Sequence, residues 1–381
     1  MATIDKPLPN IDQNNNPQEE VIEIENKQAA EVIDTPTGPV EIAMDEEGGA
    51  EVSFDPHAVD IDPNQDHFAN LAETLEDGVL EPLGHKLVDQ YTEYKESRAD
   101  WEDTYRNGLE LLGFKYERRT QPFKGASGVN HPVLAEAVTQ FQAQAYKELL
   151  PSDGPVRTQI LGNVDVPKEE QAKRVKDFMN YQIMDQMKEY EPEFDQMLFY
   201  LPLSGSTFKK VYYDDLLGRA VSKFVPADDL IVPYSANSLE DAEGIIHVIK
   251  ISENELRKQQ VSGFYRDIEL GTPPITENQL EDKKLELEGI SKDAQEDQYT
   301  LYEIHTNLDL EGYEDVGEDG EPTGIKLPYV ITVAQANSKV LSIRRNYQAE
   351  DPKKNKINYF VQFKFLPGTG FYGFGLIHMI G

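Results

Sequence analysis

Three pairs of adjacent carboxylates stand out in the 381-residue chain: Asp214-Asp215, Asp228-Asp229 and Glu240-Asp241. A two-metal nuclease or phosphohydrolase uses such side chains when they converge on one point, where the cations clamp the attacking and leaving oxygens of a phosphoryl group. Each pair sits beside Gly, Pro or Asn, the setting in which acidic residues serve turns and caps. Gly368-Thr369-Gly370-Phe371-Tyr372-Gly373 matches G-x-G-x-x-G and follows an apolar stretch suited to a strand. A dinucleotide site would also need a helix, a further strand and an acidic residue about 20 positions on, and the sequence ends at Gly381. The aromatic pair inside the loop suits packing better than close approach of a pyrophosphate.

Other chemistry is thinner. The histidines are His57, His67, His85, His131, His247, His305 and His378, none at i,i+4 from another. His247 lies in an apolar run and reads as a satisfied core histidine. Ser127 and Ser204 lack the G-x-S-x-G context of a nucleophile elbow. With no cysteine, disulfides and thiolate chemistry are excluded, and zinc would need His and carboxylate ligands. We assign no catalytic residue, cofactor or metal from these patterns. Positive charge is most concentrated at Arg118, Arg119 and Lys124, ahead of Gly125-Ala126-Ser127-Gly128. Backbone N–H groups there, before a helix, can hold an anion, although no Walker Gly-Lys-Ser/Thr follows. Arg118, Arg119 and Lys124 are therefore expected to contact a phosphate or a neighbouring subunit.

The elements that must carry these residues begin after an acidic, aromatic-poor stretch, residues 1–66, which has too little apolar surface to offset its ordering entropy and reads as a disordered arm. Apolar residues from Leu80 to Leu112 recur at helical spacing, with the single Trp101 as a core anchor. Asn130-His131-Pro132 opens a helix that runs to Leu150, and Val156–Leu161 alternates like a short strand. A third, highly charged helix spans 167–190. From Phe194 an apolar helix runs into Pro202 and Gly205, followed by a hairpin of Thr207–Tyr213 and Arg219–Val225. Next come the loop Val225-Pro226-Ala227-Asp228-Asp229-Leu230-Ile231-Val232-Pro233, a strand at Gly244–Ile251, and Ser252 with Glu255 as a helix cap. Past a Glu/Lys/Leu-rich helical piece, strands are expected at Tyr299–Thr306, Tyr329–Val333, Lys339–Arg344 and Lys356–Phe365. An acidic tip, Glu311 to Gly324, carries an Asp319-Gly320 turn. The class is α+β.

Charge bounds the partners. Asp and Glu number 70 against 36 Lys and Arg, a net charge of -34. A protein that grips DNA carries a basic patch that releases counterions from phosphates, so a sequence-reading repressor is disfavoured. A conduit that passes DNA without holding it is compatible with a repulsive wall. Mean hydropathy is -0.58, no apolar run reaches the roughly 18 residues of a membrane-spanning helix, and MATIDKPLPN lacks the features of a secretory signal.

The order helix, small-residue break, hairpin, P-x-D-D-L-I-V-P loop, acidic turn (Asn237 to Ala242) and strand ending His247-Val248-Ile249 resembles the wing of portal proteins from short-tailed double-stranded-DNA bacteriophages. "ELLPSDGPVRTQILG", the strands from Tyr299 onward, and Phe371-Tyr372-Gly373-Phe374-Gly375-Leu376 resemble the same family, over roughly Leu80 to Gly381. The resemblance implies a portal-like organisation: 1–66 an arm, 67–275 a wing-like α+β domain, 276–366 a stem and clip with β hairpins, and 367–381 the start of a tunnel helix in a truncated chain. It implies a non-enzymatic ring of twelve subunits at the capsid vertex of the virion, assembled in the host cytoplasm with no membrane involved. Such a ring passes double-stranded DNA during packaging and ejection without reading its sequence. Its partners are the terminase large subunit, major capsid and scaffolding protein, and a tail or head-completion adaptor. The tip residues Asp315, Glu318, Asp319 and Glu321 are then expected to meet terminase or adaptor. Ring contacts need two complementary faces, for which Arg118–Lys124 and Asp228-Asp229 or Glu311–Glu321 are candidates. Other readings of the same residues are the metal-dependent nuclease or phosphohydrolase and a minor capsid or adaptor protein without a channel.

Overall fold

In the computed structural model, the described residues are 31–35, 38–44 and 50–53 (backbone only), then 67–112, 123–125, 131–214, 217–273, 279–289, 298–317 and 321–380. Two compact units are present, Met1–Asp62 and Pro63–Gly381. In the first, β1 (Glu31–Thr35), β2 (Gly38–Met44) and β3 (Ala50–Ser53) form an antiparallel meander. The sequence reading expects a structureless arm here. Val32, Ile33, Val40 and Ile42 supply the β-branched residues of the paired strands.

The second unit is mixed α+β, with eight α-helices among its described residues. Helix α1 (Asp77–Ser97) places Leu80, Leu87 and Tyr94 on one buried stripe. The helix expected to continue to Leu112 breaks at Arg98 and resumes as α2 (Ala99–Gly108), because Arg98 turns inward. α3 (Val133–Leu149) matches its expected span. The expected third helix is α4 (Val166–Tyr181), capped by the Asp165 side chain and separated by an irregular turn from α5 (Tyr190–Ser204). The stretch Val156–Leu161 has no ladder partner and is not a strand; Asn180 brackets Val156 instead, accepting from its N–H and donating to its carbonyl.

Seven strands follow the helical part: β4 (Ser206–Asp214), β5 (Arg219–Pro226), β6 (Leu230–Ile231), β7 (Gly244–Ser252), β8 (Gln298–Leu308), β9 (Leu327–Ala334) and β10 (Val340–Arg345). An eighth, β11 (Phe360–Lys364), pairs back onto β4. Two antiparallel sheets result, ordered β10-β9-β8-β7-β6 and β11-β4-β5. The boundary expected near residue 275 runs through the larger sheet, since β7 pairs with β8 along nine residues. Alternation splits that sheet's residues between two faces. Ile246, Tyr302, Ile304 and Ile331 pack under α1, while Leu301 and Leu341 pack with Leu256 of α6 (Glu253–Val261). The Ser252 side chain caps α6, accepting from the N–H of Glu255. α7 (Gln279–Glu288) buries Leu280, and α8 (Leu376–Ile380) buries Ile377 against α2 and α5.

One backbone contact sets how closely these parts approach. Gly205 ends α5 with φ +86°, and the chain of Gly373 to Gly375 runs directly against it. A Cβ on Gly375 would lie 2.2 Å from the Leu203 carbonyl oxygen and 2.7 Å from the Gly205 nitrogen. Neither neighbour is a side chain that can swing away. Gly375→Ala should therefore lower stability by on the order of 3 kcal/mol or more in urea unfolding. Gly78→Ala, at an open position of α1, should change it by under about 1 kcal/mol. Equal effects would show that the approach is not tight.

Candidate functional site

Arg98 is 1% exposed and, among the described residues, is the largest fully buried side chain. A guanidinium keeps its charge in any protein and carries five N–H donors, so burial obliges the fold to supply oxygens. Nη1 donates to the carbonyl oxygens of Ala227 at 2.6 Å and Leu230 at 3.2 Å and to the Tyr372 hydroxyl at 3.0 Å, while Nη2 donates to the Asp228 carbonyl at 2.8 Å. Glu102, one turn on, lies 3.4 Å from Nε. The Tyr372 hydroxyl donates to the Leu230 carbonyl at 3.0 Å and accepts from the Val232 N–H at 3.1 Å. Trp101 stacks on the Tyr372 ring at 4.8 Å, and the Gly373 N–H donates to Ser206 Oγ at 2.7 Å. Four distant stretches meet in this node: the α1–α2 joint, the start of β4, the Pro226–Pro233 loop and the aromatic-glycine phrase.

A second polar cluster joins the sheets. Lys210 of β4 places its ammonium 2.6 Å from both oxygens of Glu303 on β8. His305 Nε2 is 2.9 Å from Glu303 Oε1, and His247 Nδ1 is 3.8 Å from the same atom and makes no hydrogen bond. Glu303 is buried, yet Lys210 and the two imidazoles hold its carboxyl well below the usual range. Burial pushes both histidines down, so both are held neutral. His247 is thus in the core as the sequence suggests, but with one ring nitrogen unsatisfied. Lys209, on the opposite face of β4, lies 3.9 Å from the Tyr190 ring centroid and 5.1 Å from that of Phe194; burial draws its ammonium down to about 8.

The residues singled out for chemistry are mostly occupied elsewhere. Asp214 accepts from the Leu217 N–H in its own hairpin turn, and Asp241 pairs with Ser238 in another. The Asp228 carboxylate takes Lys284 of α7, so the expected use of Asp228-Asp229 as an outward ring face is corrected: the pair is turned into the fold. Burial, reinforced by Asp228, pushes Asp229 up to about 7. Asp215 lies outside the described residues, and among the described ones no three His, Asp or Glu side chains form a metal-holding group. The G-x-G-x-x-G loop is filled by its own Phe371 and Tyr372, both 0% exposed. Ser204 Oγ donates to the carbonyls of Tyr200 and Ser206. Lys124 is exposed on a turn, while Arg118 and Arg119 lie outside the described residues. At the acidic tip, Asp315 is tied to Lys354 and Thr323, Glu321 is exposed, and Glu318 and Asp319 lie outside the described residues.

Sequence reasoning missed Arg98, Lys210 and Glu303. Each makes its decisive contacts more than ninety residues away, so no local pattern marks it; the nearest signal is a lone charged residue interrupting an apolar helix stripe. No protein-family model matches the chain, and no curated protein does.

The node fixes geometry. Arg98→Lys keeps the charge but has no fork to reach three carbonyls and a hydroxyl, and should cost about 2–4 kcal/mol in urea unfolding. Tyr372→Phe should cost about 1–2 kcal/mol. Wild-type stability in Arg98→Lys would remove the node from its central role. The sheet cluster makes stability depend on acid. The unfolded histidines titrate near their ordinary value of about 6.5 and take up protons that the folded ones refuse, so this contribution is whole above that pH and lost as pH falls through the lower folded value. Glu303 works in the same direction and Asp229 in the opposite one. The double variant His247→Gln with His305→Gln should therefore lose less stability than wild type between pH 7 and 5. Parallel pH curves for the two proteins would contradict this.

Proposed function

We propose that the chain is a subunit of a portal-like ring, a structural conduit for double-stranded DNA at a viral capsid vertex. One observation carries this reading. The stretches on which the family resemblance rests, the Pro226–Pro233 loop, the Ser204-Gly205-Ser206 break and the Phe371–Leu376 phrase, are tied into a single node around Arg98. Motifs that lie far apart in sequence and pack main chain against main chain behave as one rigid unit, which is what a ring wall needs if it is to hold a fixed bore. The acidic balance of the chain supports the same reading, because a net-negative wall does not retain phosphates. In this reading twelve copies close a ring that works by shape. Terminase, capsid and scaffolding protein, and a tail or head-completion adaptor dock on its surfaces. Lys124 and its basic neighbours meet an adjoining subunit, and the tip around Asp315 and Glu321 meets the motor or adaptor.

Negative-stain electron microscopy with native mass spectrometry tests it. Closed particles with a central hole, and a mass that is a whole multiple of the 43.2 kDa chain, are expected. Dispersed single copies at every concentration, or magnesium-dependent DNA cleavage abolished by Asp228→Ala, would replace the conduit with another function.

A further inference from the structure

The three-stranded sheet β11-β4-β5 is tied to the rest of the fold at two points along β4, by two kinds of contact. At the start of the strand, Ser206 Oγ accepts from the Gly373 N–H at 2.7 Å, beside the close main-chain approach of Gly205 and Gly373 to Gly375. Four residues on, about 13 Å along the strand, Lys210 meets Glu303 of β8. Burial changes at the same point: Ser206 to Lys209 are buried, whereas residues 210–214 are half-buried or exposed. Lys210 therefore stands where this sheet leaves the core.

The lysine and the imidazoles lie on opposite sides of the seam between the two sheets. From the three-stranded side come Lys210 and Tyr212 of β4, Lys223 of β5, and Tyr359 with Phe360 at the start of β11; the register sets Lys223 and Phe360 beside Lys210 on one face. From the five-stranded side come Glu303 and His305 of β8 and His247 of β7, which is paired with Glu303 in the ladder. Tyr265, and Lys356 with its ammonium on the carbonyls of Leu239 and Glu240, stand at the margins. The Phe360 ring touches both imidazoles, with centroids 5.6 Å from His247 and 5.2 Å from His305. With the imidazoles neutral, one ammonium faces one carboxylate. With both protonated, three cations would crowd that single carboxylate, a surplus that a buried site tolerates only if water reaches it. The cation that the imidazolium groups repel belongs to the other sheet, at the end away from its main-chain anchor.

We infer that the seam is an acid-operated latch: proton uptake by His247 and His305 drives the Lys210 end of the three-stranded sheet away from β7 and β8, turning about the Ser206–Gly373 contact, while both sheets keep their ladders. The inference is independent of the ring reading. Its sign follows from the exchange of surroundings. Burial holds both imidazoles neutral in the closed seam. In the open seam water lets them titrate near their ordinary value of about 6.5, so opening binds protons and is favoured as pH falls below that value. Two imidazoles can steepen the dependence to about a hundredfold per pH unit at most.

The chain has no cysteine, so an introduced thiol is a unique reporter. Ile245 and Ile331 are both buried in the five-stranded sheet, on opposite faces: Ile245 pairs with His305 and belongs to the cluster of Phe208 and Phe360, whereas Ile331 packs under α1. Ile245→Cys and Ile331→Cys chains are each reacted with a dipyridyl disulfide, and the rates divided by that of free cysteine at the same pH. From pH 7 to pH 5 the Ile245→Cys rate should rise about tenfold or more, while the Ile331→Cys rate holds steady. Adding His247→Gln and His305→Gln to Ile245→Cys should abolish the rise. Should that chain fail to fold, His247→Gln alone serves, because its Nδ1 has no hydrogen-bond partner to lose; it should cut the rise at least threefold. An equal rise at both thiols is general loosening, no rise at either is a seam that stays shut, and a rise that survives the histidine substitutions has another cause; each overturns the latch.

Discussion

An arginine sealed from water cannot discard its proton, so the chain must bend oxygen atoms toward it. Arg98 is that constraint here. Its fork takes the carbonyls of Ala227, Asp228 and Leu230, three oxygens that a strand ladder would otherwise claim, and the price is an irregular loop between β5 and β6. The loop is then rigid because leaving it would strand a buried charge, a loss of about 3–5 kcal/mol when such a group loses its partners. The two prolines bounding the loop limit its backbone further. Tyr372 completes the arrangement by donating and accepting on the same loop, so the C-terminal phrase is held in place through its hydroxyl as well as its ring.

Close packing of main chain on main chain extends this rigidity. Gly205, Gly373 and Gly375 bring the end of α5 and the aromatic phrase to distances that a side chain would forbid. Phe371 and Tyr372 fill what would otherwise be a glycine-lined hollow. The same residues that imitate a dinucleotide fingerprint thus abolish the space such a ligand needs. On the far side of β4, the Lys210–Glu303 pair links the two sheets through an ionic contact, with His247 and His305 packed beside it.

The exterior is uneven. The chain as a whole is acidic, while α4 and one face of β4 and β11 leave large apolar side chains such as Phe178, Tyr213 and Val361 exposed. A strongly acidic surface discourages unspecific contact between copies.

Much of the local structure was legible. Gly244–Ile251 reads as a strand and β7 occupies Gly244–Ser252, since a run of β-branched residues bounded by turn signals has few other uses. Ser252 reads as a cap and is one. Val156–Leu161 alternates equally well and forms no strand, because a ladder needs a partner edge and none reaches it. The helical stripe through Leu112 gives no warning of the break at Arg98, which is required by carbonyls 129 to 132 residues away. Residue types and spacing, acting over a few turns, determined by themselves the α+β class, the main helices and strands, and the acidic balance that governs what can approach the chain. Which sheet each strand joined, which charges were buried together and which apolar faces were left open was decided only by the tertiary structure, because burial and long-range pairing are properties of what lies across the gap and not of the residues along the chain.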